Sequence, residues 1–352
     1  MAETPRSDAA VGIIANPAAG RDIRRLVAQA SVFPIAEKRN MITRIFAALG
    51  AVGVHTCYLI PDESGIADRV KRAVGLGPPE GQRWPEVAFL DMPIEESPAD
   101  TLEGTARMVE RGVSGIMVLG GDGTNRLVAQ ACDGVPLTSL STGTNNVFPM
   151  MREATIAGLA AGLVATGALT REEAARRNKL LRVTVNGMPR DIALVDVCVS
   201  GAAWTGAKAL WRADALDQLF VTFAEADAIG LSSIAGLLRP VSRDAAHGVA
   251  LDLAAAPGAA RRVSAPLAPG LMAEIGVERV CDIEAGVPHP IRLTRGVVAL
   301  DGEREIAFGP DDRMAVVLEP DGPFTVEVPR AMELAARSGL LEQGTAAASL
   351  QG

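Results

Sequence analysis

The sequence predicts an α/β domain over residues 1–177, a β-rich domain over 178–321, and a last segment, 322–352, that returns to the first. Three observations predict it. Short apolar runs alternate with amphipathic stretches at βαβ spacing through the first half, so the first sheet is expected to be mainly parallel and covered on both faces. From Lys179 onward short alternating segments, separated by Gly, Pro and Asp, replace that rhythm and predict antiparallel pairing. Residues 324–341 then offer one more strand and helix.

In chain order, residues 11–15 read as a first buried strand, followed by Asn16, Pro17 and Gly20, which set a turn. Arg21, Arg24 and Arg25 follow, either as a solvated basic face or as a loop in which Arg21 neutralises phosphate. Met41, Ile42, Ile45, Phe46 and Leu49 share one helical face over 37–49, and Gly50 stops that helix. Strands are expected over 52–60 and 87–90, and helices over 66–74 and 99–111.

The chain is organised around residues 114–124. Residues 116–119 are apolar, as in a strand buried on both faces, and lead into Gly120-Gly121-Asp122-Gly123-Thr124. Leu127, Val128 and Ala131 then fall on one helical face, closed by Gly134. A strand, a glycine turn and a helix start put backbone N–H groups at the carboxyl edge of a sheet, a natural phosphate site. No Gly-Lys-Ser/Thr follows, so this is not a P-loop, and the spacing is not G-x-G-x-x-G. Asp122 suggests backbone amides on phosphate and a carboxylate on a hydroxyl or Mg²⁺.

A strand over 137–140 runs into Thr142, Gly143, Thr144, Asn145 and Asn146. Such residues build turns and cap helices. Leaving the next strand, however, this turn is expected beside Gly120–Thr124 on one sheet edge, where the two make a ligand site.

In the second half, residues 181–185 alternate, Asn186-Gly187 signals a hairpin, and 192–199 returns as a strand. Further strands are expected at 248–253, 291–293, 297–300, 305–308 and 314–318, with a helix over 204–238 carrying Trp204, Trp211, Leu219, Phe220 and Phe223. Asp301-Gly302 reads as a hairpin turn, with Glu303 solvated.

The chain has 352 residues, long for one core, and 48% hydrophobic content but only 3% aromatics. Its formal charge of −8 argues against general nucleic-acid binding and against anionic membranes. Cys57, Cys132, Cys198 and Cys281 are dispersed and form no metal motif, and His55, His247 and His289 are equally scattered. The start lacks the apolar core of a signal peptide, and the uncharged stretch 154–170 falls short of the roughly 18–20 apolar residues of a membrane span. A soluble cytoplasmic protein is expected.

These residues resemble the superfamily of NAD kinases, diacylglycerol kinases and sphingosine kinases. Gly120–Thr124 matches its most specific motif, and Asn16-Pro17 with Gly20 is similar to its first-strand motif. Gly143-Thr144-Asn145-Asn146 resembles its Gly-Thr-x-Asn-Asp turn, and Asp301-Gly302-Glu303 the Asp-Gly-Glu element of its lipid-kinase branch. The likeness is strongest to the acetoin-catabolism X group, usually classed with ATP-NAD kinases, and includes residues 31–39 and 142–149.

The resemblance implies a phosphofructokinase-like three-layer α/β domain, a β-sandwich-like domain, and an active site between them. It implies that Gly120, Gly121, Gly123 and Thr124 contact nucleotide phosphates, and that Asp122 is catalytic beside the acceptor hydroxyl or metal. Asn145 and Asn146 would hold nucleotide or acceptor. Asp301 and Glu303 would bind Mg²⁺, with Asp301 also catalytic. Asn146 departs from the family, standing where an acid is common, and no acid follows the first motif at 126–128.

The expected activity is phosphoryl transfer from ATP, with Mg²⁺, to a hydroxyl, NAD first among acceptors. Another small metabolite or a lipid is the alternative acceptor. A catalytically silent nucleotide-binding regulator linked to acetoin catabolism is the third reading. The resemblance also favours a homodimer or homotetramer.

Overall fold

The computed structural model of the protein describes residues 8–17, 33–143, 146–201 and 215–342. In the first half, strands β1 (Ala10–Ala15), β2 (Thr56–Leu59), β3 (Glu86–Phe89), β4 (Gly115–Gly120) and β5 (Leu137–Ser141) all pair in parallel. Helices α1 (Ile35–Ala51), α2 (Ile66–Leu76), α3 (Pro98–Glu110), α4 (Asp122–Ala131) and α5 (Ala154–Ala165) connect or flank them. A short helix, α6 (Arg171–Ala174), leads to β6 (Ala175–Arg177).

The central strands bury both faces, which is why 116–119 carries no polar residue. Val11, Ile13, Met117 and Leu119 pack with Ile42, Ile45 and Phe46 of α1 and with the alanines of α5. Ile14, Ile116 and Val118 pack on the other side with Met108 of α3 and Val128 of α4. Each such buried aliphatic side chain contributes about 1.5–3 kcal/mol. The result is the three-layer α/β arrangement expected from the sequence.

The second half builds two more sheets. One orders as β14-β17-β7-β8, from β7 (Leu180–Val185), β8 (Met188–Ala193), β14 (Pro288–Pro290) and β17 (Met314–Glu319). The other orders as β12-β13-β11-β10-β9-β15-β16. Its strands are β9 (Asp196–Ser200), β10 (Leu216–Val221), β11 (Gly248–Ala254), β12 (Arg261–Ala268), β13 (Leu271–Ile283), β15 (Gly296–Leu300) and β16 (Glu303–Phe308). Leu181, Val183 and Val316 of the smaller sheet meet Val197, Phe220, Val298 and Leu300 of the larger, giving a sandwich core. β18 (Phe324–Val326) then pairs in parallel with β5 and antiparallel with β6, so the last segment rejoins the first sheet. α8 (Val328–Arg337) follows it, burying Val328, Ala331 and Ala335.

Several local expectations are corrected. Residues 192–199 are not one strand. The chain breaks at Leu194 and Val195 and passes from β8 in the smaller sheet to β9 in the larger. The helix expected over 204–238 is also overturned: 202–214, with Trp204 and Trp211, lie outside the described residues, and 216–221 is the central strand β10. Leu219 and Val221 are buried on one face of that strand and Phe220 on the other, so apolar periodicity could not separate strand from helix. Among the described residues of that stretch, the α-helix is α7 (Ser232–Gly236). The strand expected at 291–293 lies instead at β14, and the β12–β13 hairpin, rich in Arg and Glu, was hidden by its charge. Both hairpin turns form: Asn186 and Gly187 have φ of 53° and 80°, and Asp301 and Gly302 have 50° and 81°.

Candidate nucleotide site

β1, β4 and β5 are adjacent in the sheet, so the turns leaving their carboxyl ends share one edge. Asn16 Nδ2 donates to Thr124 Oγ1 at 2.8 Å, tying the end of β1 to the first turn of α4. The Thr142 N–H donates to the Gly120 carbonyl at 3.2 Å, tying the end of β5 to the end of β4. Between these bends sits the Asn146 amide. A Cβ on Gly121 would stand 2.7 Å from Asn146 Oδ1, and one on Gly143 would stand 2.7 Å from both amide atoms. Only glycine at both positions lets the bends close on that side chain. Asn146 Nδ2 in turn donates to Ser141 Oγ at 2.7 Å.

Asp122 opens α4 behind an N-cap, Gly121, that has no side chain to offer. Its carboxylate is buried and accepts from the backbone N–H of Val147 at 3.1 and 3.0 Å and of Phe148 at 2.8 Å. Asp122 therefore grips the second bend.

From the second domain, the β15–β16 hairpin reaches the same helix end. The Glu303 carboxylate comes within 3.5 Å of the place a Cβ would take on Gly123. Asp301 stays behind it. Its buried carboxylate accepts from the N–H groups of Leu194 (3.1 Å), Val195 (2.8 Å) and Asp196 (3.2 Å), holding the break between β8 and β9. Burial raises its pKa from 3.8 to about 6, against the opposing pull of the Arg126 guanidinium and those N–H groups. Arg126 and Gln130 of α4 bond Asp191 of β8 at 3.0 and 2.7 Å, fixing the helix to the second domain.

Of the sequence-predicted site residues, Asn16, Gly120, Gly121, Asp122, Gly123, Thr124, Thr142, Gly143, Asn146 and Glu303 are thus brought together. Asp301 supports them from one strand pair away. Gly20, Arg21, Thr144 and Asn145 lie outside the described residues. Thr142 is fully buried and its Oγ1 has no hydrogen-bond partner among the described residues, a polar group of the kind a ligand satisfies.

Two residues escaped the sequence reading. Lys38 is 1% exposed, and its ammonium donates to the Asn16 carbonyl at 2.7 Å, placing a buried cation behind the first bend. It stands on the apolar face of α1 with Met41, Ile42, Ile45 and Leu49, and a lysine in that phase was the available signal. Arg243, between α7 and β11, donates to the carbonyls of Val147 (2.7 Å) and Phe148 (3.2 Å). Nothing in its sequence neighbourhood marks it.

The chain is 45% identical over 337 residues, 94% of its own length and 93% of the relative's, to acetoin catabolism protein X of Cupriavidus necator. The chain belongs to the acetoin catabolism protein X family. Residues 179–321 match the acetoin catabolism protein X C-terminal domain, and residues 11–168 match the ATP-NAD kinase N-terminal domain. The family is therefore NAD kinase-like in the part that carries the two glycine bends. Two solved structures of a putative diacylglycerol kinase from Bacillus anthracis str. Sterne are similar at 12% identity. They cover 92% and 91% of this chain and 98% and 99% of their own, with TM-scores of 0.44 and 0.43. Among the described residues, no helix is long and apolar enough to cross a membrane.

Proposed function

We propose that the protein transfers a phosphoryl group from ATP to a hydroxyl, with NAD as acceptor and NADP as product. The observation that carries this reading is the approach of Glu303 from the second domain to Gly123, in the first turn of α4. It puts an acid against a helix N-terminus and a glycine bend, where nucleotide phosphates are favoured.

A loose phosphoryl transition state asks chiefly for positioning and charge neutralisation. In this reading the N–H groups of Gly121, Gly123 and Thr124 hold phosphate oxygens, the Thr142 hydroxyl adds a donor, and Asn146 keeps the bends apart. Gly120, Gly143 and Asn16 shape the bends, while Gly20, Arg21, Thr144 and Asn145 serve as further nucleotide contacts. Asp122 holds the Val147–Phe148 bend in place for the acceptor hydroxyl, and Asp301 supports the Glu303 hairpin.

Among the described residues, no three or more His, Cys, Asp or Glu side chains form a metal-holding cluster. Mg²⁺ binds through one or two carboxylates plus substrate phosphates. Glu303 is the residue that fits it, since the Asp122 and Asp301 carboxylates are engaged by backbone N–H groups. Bound there with ATP, Mg²⁺ would neutralise phosphate charge. We also take residues 1–177 with 322–352 as the nucleotide domain and 178–321 as the acceptor domain, the molecule acting as a homodimer or homotetramer.

Incubation with ATP, Mg²⁺ and NAD, followed by an NADP-specific dehydrogenase, tests the reading. NADP formation is expected, and its absence with ATP consumed on another hydroxyl compound would reassign the acceptor. One observation favours a second reading, a nucleotide-binding regulator without turnover: both conspicuous aspartates are spent on backbone N–H groups. Tight ATP binding with no consumption on any acceptor would establish it.

A further inference from the structure

The acid at the first bend is held by a peptide that is itself held from the second domain. Val147 and Phe148 donate their N–H groups to Asp122 and offer their carbonyls to Arg243, at 2.7 Å to Nη2 and 3.2 Å to Nη1. The guanidinium is fixed in turn. Its Nε and Nη2 bond the Glu225 carboxylate at 2.9 and 3.1 Å, and it lies over the Phe223 ring at 4.1 Å from the centroid. Its side chain is 15% exposed. A planar fork with one edge on a carboxylate, the other on two successive carbonyls, and its face on an aromatic ring has little freedom left. The Val147 carbonyl and the Phe148 N–H belong to one peptide, so a cation on that carbonyl strengthens donation by that N–H. The contact to the Phe148 carbonyl, in the peptide to Pro149, fixes the position of the backbone.

We infer that Arg243 is a positioning residue that acts on Asp122 through the backbone of Val147 and Phe148, making the grip on the acid conditional on docking of the second domain. The catalytic part of the inference rests on the phosphotransfer reading above. The structural part stands without it.

The test compares four proteins: the parent, Arg243→Ala, Asp122→Asn and the double variant. With ATP, Mg²⁺ and NAD, Arg243→Ala should lower kcat about ten- to a hundredfold, the range for loss of a charge-assisted contact, with KM for ATP within about twofold. Arg243→Lys, a point charge without the fork, should recover part of the loss. In the Asp122→Asn background, Arg243→Ala should change kcat no further, since the route runs through Asp122. Independent losses that multiply in the double variant would overturn the inference.

Amide hydrogen exchange at Val147 and Phe148 gives a second readout, free of any assumption about activity. Exchange should accelerate in Arg243→Ala, and less so in Arg243→Lys, which also serves if the alanine variant fails to fold. Unchanged protection at both amides would overturn the inference. A parent without turnover but with Arg243-dependent protection would instead refute the phosphotransfer reading and leave the coupling standing.

Discussion

Glu303 and Gly123 face each other across the junction of the two domains, the acid's Oε1 lying 3.5 Å from where a methyl group on the glycine would stand. That spacing is ordinary van der Waals contact. Gly123 lies within α4 and has no left-handed backbone angle.

Gly123→Ala should therefore fold at least as well as the parent. Replacing a helical glycine by alanine stabilises by about 0.5–1 kcal/mol. The added methyl nevertheless fills the space between the helix end and Glu303, so ATP affinity should drop at least about tenfold. A melting curve with a calorimetric ATP titration checks both halves; unchanged affinity would mean that phosphates do not enter there.

Lys38→Met keeps a long side chain on the apolar face of α1 and removes the ammonium from the Asn16 carbonyl. The circular dichroism spectrum should be retained, while the Kd for ATP rises about tenfold through loss of buried positive charge beside the bends. Equal affinities would reduce Lys38 to a brace for Asn16.

Asp301 gives stability a pH dependence of definite sign. Its folded pKa, about 6, stands above the ordinary 3.8, so between these values the native state binds the proton that the unfolded chain has lost. Its contribution is fully present below pH 3.8 and falls away as pH rises through about 6, a change of up to about 3 kcal/mol. Denaturant titrations of the parent and Asp301→Asn across pH 4 to 7 should differ in slope in that direction. Parallel curves would contradict the assignment.

Asn146→Asp would place a carboxylate between the two glycine bends. The Ser141 hydroxyl that now accepts from the amide can rotate to donate instead. The variant should reach half-maximal ATP binding at a several-fold lower Mg²⁺ concentration, since a second carboxylate joins Glu303. Titration of Mg²⁺ at fixed ATP measures it, and an unchanged midpoint would make residue 146 a spacer only.

The sequence by itself determined the two glycine bends on neighbouring parallel strands, the hairpins at Asn186-Gly187 and Asp301-Gly302, and the change from parallel to antiparallel architecture. All of these follow from local chemistry: apolar runs, turn residues and helix stops act over a few positions. Only the tertiary structure decided what the acids do. Asp122 and Asp301 look alike as Asp-Gly pairs, yet one grips Val147 and Phe148 and the other the break at Leu194. Lys38 is buried against the Asn16 carbonyl, and Arg243 reaches a peptide far away in the chain. A carboxylate or guanidinium finds its partner through the packing of whole domains, and spacing along the chain carries no record of that.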